Sequence, residues 1–340
     1  MLNAGLDAEV ASSPSSKQKP ELLLRINGRH GAWAGDFYQD AGRDTALHLD
    51  PYRRANTSVS LILRRGRELL LHVLVDVGLG ALNALLEFQQ QAQVNRVDAL
   101  LLTHPHFDHI AGLDWLANMV RRSDVPEQVK PLPLYCSAPC YEEAIGRRFT
   151  WLKDLYSHHT LSSGQPIRIE GREGAALRVT PLAVSHGPTA PGAVIYAVEV
   201  EDVGRRLVFA WDMLRLAEGV DEAPLHEADI VLVDSTSWHP QFAKDDPSGR
   251  KNHNTWHCSI EEWLEVLPRW RPKRAYLIHY SGFSDSNAHE DCPDPAWAEI
   301  KGVMRETDLR VHARREGERR HLDLRVAYQG MRIPDDEPWP

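Results

Sequence analysis

The segment THPHFDHI, Thr103 to Ile110, gathers His104, His106, Asp108 and His109 directly after the apolar run Ala99 to Leu102. Histidine is neither a strong core residue nor a preferred strand former, so propensity gives no reason for the cluster. Coordination chemistry does. His104 and His106 lie two apart, so in extended chain both project to one side and can grip one ion. Asp108 and His109 turn into the next helix and can face a second ion. Imidazole and carboxylate donors without thiolate suit a catalytic zinc, manganese or iron site with open positions, rather than a closed structural zinc.

The signature recurs along the chain. Apolar runs end at Asp76 in HVLVD, at His186 in LRVTPLAVSH, at Asp212 in RLVFAWD and at His279 in RAYLIH. Ligands collect at the carboxyl ends of strands, where loops converge over a rigid sheet. Separate strands delivering His or Asp to one rim build a single cluster.

The elements that must position these residues are legible in part. SVSLILRR, Gly66 and ELLLHVLVD read as a hairpin. LLEFQQQAQ has helical composition and leads into RVDALLLTH, a buried strand ending at the histidines. AGLDWLANMVRR predicts a helix with Leu113, Leu116, Ala117 and Val120 on one stripe. Strands are predicted over 176–184, 193–200, 206–210 and 229–233, then a helix from Ser259, as N-cap, to about Trp270, then the strand RAYLIH. Interleaved strands and surface-type helices predict an α/β fold of two sheets with helices on their outer faces.

The chain has 340 residues, 42% hydrophobic and 26% charged, which is ordinary globular usage. A net charge of -9 argues against a general nucleic-acid binder. Residues 1–20 are polar and rich in Ser, Lys and Pro, and read as a disordered tail ahead of a single domain, 21–340. No secretory signal is visible at the start, and the most apolar stretch, Leu69 to Leu86, is broken by His72, Asp76, Gly78, Gly80 and Asn83, so it is no membrane span. Cys136, Cys140, Cys258 and Cys292 are too sparse for a disulfide framework; Cys136 and Cys140 read as small apolar fillers. A cytoplasmic protein is expected, with a homodimer left open.

With HxHxDH and the later isolated His, Asp and His residues in view, the chain resembles the metallo-β-lactamase fold superfamily from roughly Arg53 to Met331. The resemblance implies a four-layer αββα sandwich of two mixed sheets. It implies one metal held by His104, His106 and His186, a second by Asp108, His109 and His279, and Asp212 bridging them, with Asp76 as the buried aspartate that orients the loop. YRRANTSVSL, TWHCSIEEWLEVL and VAYQGMRI are similar to segments of the branch that includes phosphoribosyl cyclic phosphate phosphodiesterase and tRNase Z, with Trp256 where glycine is usual and Gln329 in place of Asp. The branch's N-terminal cysteine cluster and a long basic insertion are absent. By this resemblance His257 contacts the phosphate and protonates the leaving oxygen, while Arg53 and Arg54 read either as a bidentate phosphate contact or as a solvated charge pair.

The reading is a dinuclear zinc or manganese hydrolase, with iron as a further option. It is a phosphodiesterase on a small cyclic or nucleotide-like phosphate ester, in which Asp108 binds metal and orients a metal-bridging hydroxide. A lactone, thioester or β-lactam hydrolase on the same centre is the alternative, and a metal-binding sensor without turnover is the rival from another class. His158, His159, His239 and the tryptophans at 211, 238 and 256 are candidate pocket neighbours, for which loop or core packing is the plainer reading.

Overall fold

The computed structural model describes residues 19–31, 55–92, 96–121, 130–239, 256–280 and 306–333. The expectations for residues 1–18, Arg53 and Arg54 fall outside the described residues. The first sheet contains β1 (Glu21–Gly28), β2 (Ser58–Arg65), β3 (Glu68–Val75), β4 (Ala99–Leu101), β5 (Leu132–Ser137) and β6 (Tyr156–Leu161) in that spatial order. Strands β1 to β3 run antiparallel and β3 to β6 parallel.

The second sheet is built from β7 (Ile167–Glu170), β8 (Ala176–Ser185), β9 (Val194–Val200), β10 (Arg205–Ala210), β11 (Arg215–Leu216), β12 (Ile230–Ser235), β13 (Arg274–Tyr280) and β14 (Leu324–Val326). Its spatial order is β11-β8-β9-β10-β12-β13-β14, with β7 also pairing β8, while a last strand, β15 (Arg332–Ile333), returns to the free side of β1. Because β8–β9 and β9–β10 are antiparallel and β10–β12 and β12–β13 parallel, β8, β10, β12 and β13 all point one way. Their carboxyl ends therefore share a rim, where His186, Asp212, Asp234 and His279 lie.

Period-two alternation separates the layers. Leu207, Phe209, Leu232, Tyr276 and Ile278 face the interior between the sheets, opposite Leu61, Val73, Val75 and Leu101. The alternate residues Val208, Val231, Val233, Ala275 and Leu277 face outward. They are covered by Ile260, Trp263, Leu264 and Leu267 of one helix (Ile260–Trp270) and by Leu309 and Ala313 of another (Glu306–Arg320). On the opposite outer face, Leu74, Leu100 and Leu102 pack with Leu82 and Leu85 of α1 (Ala81–Ala92). Two further helices, α2 (Phe107–Ile110) and α3 (Leu113–Arg121), add Ile110, Leu113, Leu116 and Ala117. The result is helix, sheet, sheet, helix. Among the described residues no helix is long and apolar enough to cross a membrane.

Two local expectations are sharpened. Ser259 caps its helix through a capping box, its Oγ accepting from Glu262 N at 3.2 Å while Glu262 Oε2 accepts from Ser259 N at 2.7 Å. Strand β4 is shorter than RVDALLLTH suggests. Past Leu101 the Thr103 amide donates to Asp76 Oδ1 at 2.8 Å instead of to a neighbouring strand, and the chain leaves the sheet.

His72 sits fully buried inside β3, with Nδ1 2.7 Å from the Arg96 carbonyl and Nε2 2.9 Å from Ser60 Oγ. Burial pushes its pKa from 6.5 down to about 4. Between those values the unfolded chain takes up a proton that the folded chain refuses, so stability falls as pH drops from 6.5 toward 4 and levels off below. The shift corresponds to about 3 kcal/mol. Urea unfolding of wild type and His72→Gln should show a stability gap that narrows by about that amount between pH 7 and pH 4; a gap independent of pH would refute the assignment.

Candidate metal centre

Each candidate histidine ligand has one ring nitrogen fixed by the fold and the other aimed inward. Asp76, just past β3, is the hub. Its Oδ2 accepts from Thr103 Oγ1 at 2.7 Å, His109 Nδ1 at 2.7 Å and Trp211 Nε1 at 2.9 Å. Since the Thr103 hydroxyl proton goes to Asp76, its oxygen accepts from His104 Nδ1 at 2.9 Å. Both His104 and His109 thus present Nε2 to the interior.

His186 Nδ1 donates to the Trp256 carbonyl at 3.0 Å, and His279 Nδ1 is held 3.0 Å from Thr236 Oγ1, so each again offers Nε2. His106 is held the other way round, through Nε2 to Thr189 Oγ1 at 2.9 Å, and offers Nδ1.

The inward atoms fall into two triads: His104, His106 and His186, and Asp108, His109 and His279. Within the first, His186 Nε2 and His106 Nδ1 are 3.1 Å apart. Two imidazole nitrogens about 2 Å from one tetrahedral ion lie roughly 3.3 Å from each other. In the second, Asp108 Oδ2 is 3.3 Å from His109 Nε2 and 3.4 Å from His279 Nε2. Asp212 stands between them, with Oδ1 3.4 Å from His186 Nε2 and Oδ2 3.0 Å from His109 Nε2 and 3.2 Å from His279 Nε2.

Crowding of this kind without alignment leaves buried His104 Nε2, His109 Nε2 and Asp212 Oδ2 with no hydrogen-bond partner. Orphaned polar atoms at zero exposure are costly unless something else satisfies them. A pair of divalent cations fits. The seven residues that the motif and its resemblance single out are brought together, with His104, His109 and Asp212 also within ligand range of one another.

Two of these positions, and Asp76 beneath them, are conformationally strained. Asp76, Asp212 and His279 have φ of 55°, 55° and 60°, in the left-handed region that non-glycine residues rarely adopt. The turn after β3 is also tight: a Cβ on Gly78 would come within 1.8 Å of the Asp108 carbonyl oxygen, a backbone atom that cannot swing away. Gly78→Ala should therefore push α2 off its seat. We expect loss of metal uptake and a stability loss of about 3 kcal/mol or more, read by metal titration and thermal unfolding, and wild-type uptake would refute the packing argument.

Electrostatically the centre divides. Burial, then the neighbouring imidazoles, hold His104 well below the ordinary histidine range, and burial holds His186 down to about 4. His106 is lowered, again chiefly by burial. Neutral imidazole is the form that ligates. Burial opposes charge in the other half too, yet Asp108 and Asp212 lie below the usual carboxylate range because His109 and His279 stand beside them. Against burial, Asp108, Asp212 and Asp76 raise His109 well above its ordinary value, and Asp212, Asp234 and Asp108 raise His279 to about 10.

His257 is drawn into the site from the loop before the 260–270 helix, 12% exposed at its side chain. Its Nδ1 donates to Asp234 Oδ2 at 2.7 Å and its ring stacks 5.5 Å from His279, and Nε2 makes no hydrogen bond among the described residues. Asp212, Asp234, His257 and His279 also lie within ligand range of one another, but the His257–Asp234 hydrogen bond engages both partners. Asp234 is fully buried and also accepts from the amides of Asp212, at 3.1 Å, and Thr236, at 2.7 Å.

Asp234 is the residue that sequence reasoning misses, although IVLVD carries the same apolar-run-then-Asp signal as HVLVD. Thr103, Thr189 and Thr236 carry no signal in sequence. The other candidates lie elsewhere. His158 and His159 stack on Tyr141 and Tyr135 along β6, His239 pairs with Glu261 at 3.1 Å, and Trp238 packs in the outer core against His312. Trp211 is buried as Asp76's donor, and the Trp256 ring packs on Gly187, where a Cβ would come within 2.4 Å of it.

Comparison with known proteins agrees with this fold. A family model described as a β-lactamase superfamily domain matches residues 72–280, more than half of the chain. Coenzyme PQQ synthesis protein B of Cupriavidus necator is 26% identical over 70% of this chain and 73% of its own. Ribonuclease Z of Mycolicibacterium gilvum is 27% identical over 69% of this chain and 82% of its own. Among solved structures, zinc-bound PqqB from Methylobacterium extorquens superposes with a TM-score of 0.58 at 16% identity, covering 92% of this chain and 99% of that one.

Proposed function

The chain belongs to the β-lactamase superfamily, and on that premise we propose that it is a dinuclear metal-dependent phosphodiesterase acting on a small cyclic or nucleotide-like phosphate ester. The observation that supports this reading is the pair of triads sharing Asp212, with His257 held beside them by Asp234. His104, His106 and His186 would hold one cation, Asp108, His109 and His279 the other, and Asp212 one oxygen toward each. Zinc and manganese both suit these donors, and iron is not disfavoured by them. Bound there, the cations supply Lewis acidity and bring the pKa of a water toward neutrality.

The chain's own residues do the rest. Asp76 fixes the tautomers of His104 and His109, so their inward nitrogens carry lone pairs. Asp108 keeps a carboxylate oxygen facing the reacting centre. His257 holds a proton at Nε2 for the departing alkoxide, and Asp234, ionised and buried, keeps that ring in place. Burial of the ligand atoms excludes bulk water from the inner half of the site. Ribonuclease Z, a relative by sequence, is consistent with a phosphate diester; the other relative acts in coenzyme PQQ synthesis, so the choice of substrate rests on His257. A carbonyl substrate such as a lactone, thioester or β-lactam makes less use of a proton donor aimed at a leaving oxygen.

Elemental analysis should find two divalent ions per chain. The loaded protein should hydrolyse bis(4-nitrophenyl) phosphate faster than a phosphomonoester, a lactone or a β-lactam. Faster lactone or β-lactam turnover would sink the diester reading, and metal without turnover of any substrate would favour a binding protein. Removal of the ions by chelation should lower the thermal midpoint, with recovery on adding zinc, because the ions bind only the folded chain.

A further inference from the structure

Among the described residues, the four most exposed large apolar side chains lie on or beside the ligand-bearing loop, apart from the less exposed Leu86 and Val311. Phe107 and Trp151 are each 62% exposed, Leu79 62% and Trp115 60%, and all four are attached to the ligand-bearing loop. Phe107 lies between His106 and Asp108 in the chain. Leu79 follows Gly78, which abuts the Asp108 carbonyl, and its amide donates to Asn56 Oδ1 at 3.0 Å. Trp151 Nε1 donates to Asp114 Oδ1 at 3.2 Å, next in sequence to Trp115, and Arg148, at the end of the preceding helical segment, donates to the Pro105 carbonyl at 2.9 Å, tying that segment to the loop of His104 and His106. Phe149 braces Trp151 edge-on at 5.5 Å.

Rings held this firmly yet left in water form a platform, and exposed apolar surface concentrated in one place marks a binding site. We propose that the rim of Leu79, Phe107, Trp115 and Trp151 is the subsite for the planar base of a nucleoside phosphate ester, stacked outside the centre while its phosphate lies within. This deepens, and for its phosphate end rests on, the phosphodiesterase reading. A flat base is favoured over a protein surface by position: Phe107 adjoins two candidate ligands, and His106 and Thr189 stand at the mouth, so a protein or second copy seated there would block it. Stacking on aromatic side chains accepts any base.

The test uses the full chain loaded with zinc. Calorimetry compares thymidine 5′-monophosphate with ribose 5-phosphate, which lacks the base, for wild type, Phe107→Ala, Trp151→Ala and, as a distant exposed control, Val311→Ala. Wild type and the control should bind the nucleotide about tenfold more tightly than the sugar phosphate, and each rim variant should lose most of that ratio. An unchanged ratio in both rim variants overturns the proposal. So does an unchanged ratio accompanied by a shift in oligomeric state, which would give the rim to a second copy. If wild type hydrolyses no diester, the phosphodiesterase reading fails, while the binding ratio still decides the rim. Because the substituted side chains are exposed, circular dichroism should confirm that the fold is intact.

Discussion

Replacing His257 by alanine should cut phosphodiester turnover by about 10²- to 10⁴-fold while metal content stays at the wild-type level. The ring belongs to neither triad, its Nδ1 is committed to Asp234 at 2.7 Å, and its loss leaves both proposed ion sites complete. The loss should be largest for diesters with a poorly stabilised alkoxide and smaller for nitrophenolate, which needs no proton to depart. Asp234→Asn should lower turnover less and alter the pH profile, since the amide can still hold the ring but no longer carries charge. Full activity in His257→Ala, or a parallel loss of metal, would remove the residue from proton transfer.

Asp76→Ala should be the most disruptive single change to the centre as a whole. It strips the acceptor from Thr103 Oγ1, His109 Nδ1 and Trp211 Nε1 at once, and those groups are buried where water cannot replace it. We expect a stability loss of about 3–5 kcal/mol by urea unfolding. Zinc affinity should fall about 10- to 100-fold by competition titration, because His109 loses the partner that orients it and the Thr103 hydroxyl that orients His104 loses its own anchor. Asp76→Asn preserves shape but supplies one acceptor oxygen where the native residue has two, so it should fall between. Unfolding and affinity indistinguishable from wild type would show that the aspartate merely fills a turn.

The metal ligands are legible in sequence because their signal is local and chemical. Four of them lie within six residues, and the rest share the habit of ending apolar runs. The alternation that builds the sandwich is equally plain in β10 and β13, where every second residue faces the other sheet. Asp234 escapes because IVLVDS reads first as a strand, and only the hydrogen bond to His257 reveals what its last carboxylate does. The tryptophans are legible only in part. Trp211 packs in the core, the plainer of its two readings, and its donation to Asp76 is not visible in sequence, while Trp115 and Trp151 stand in solvent, since ring exposure depends on which elements pack over them. The three threonines that fix ring tautomers are invisible for the same cause, their partners being up to 83 positions away.

The pairing of Leu24 in β1 with Ile333 in β15 bears on biosynthesis. During translation the amino-terminal sheet emerges early and waits, one edge unclosed, for the final described strand to leave the ribosome. The last ligand, His279, arrives almost as late. Ion capture therefore comes after most of the chain has been made, and a polypeptide stalled before that point presents an unsatisfied strand edge and apolar surface to chaperones and to its neighbours.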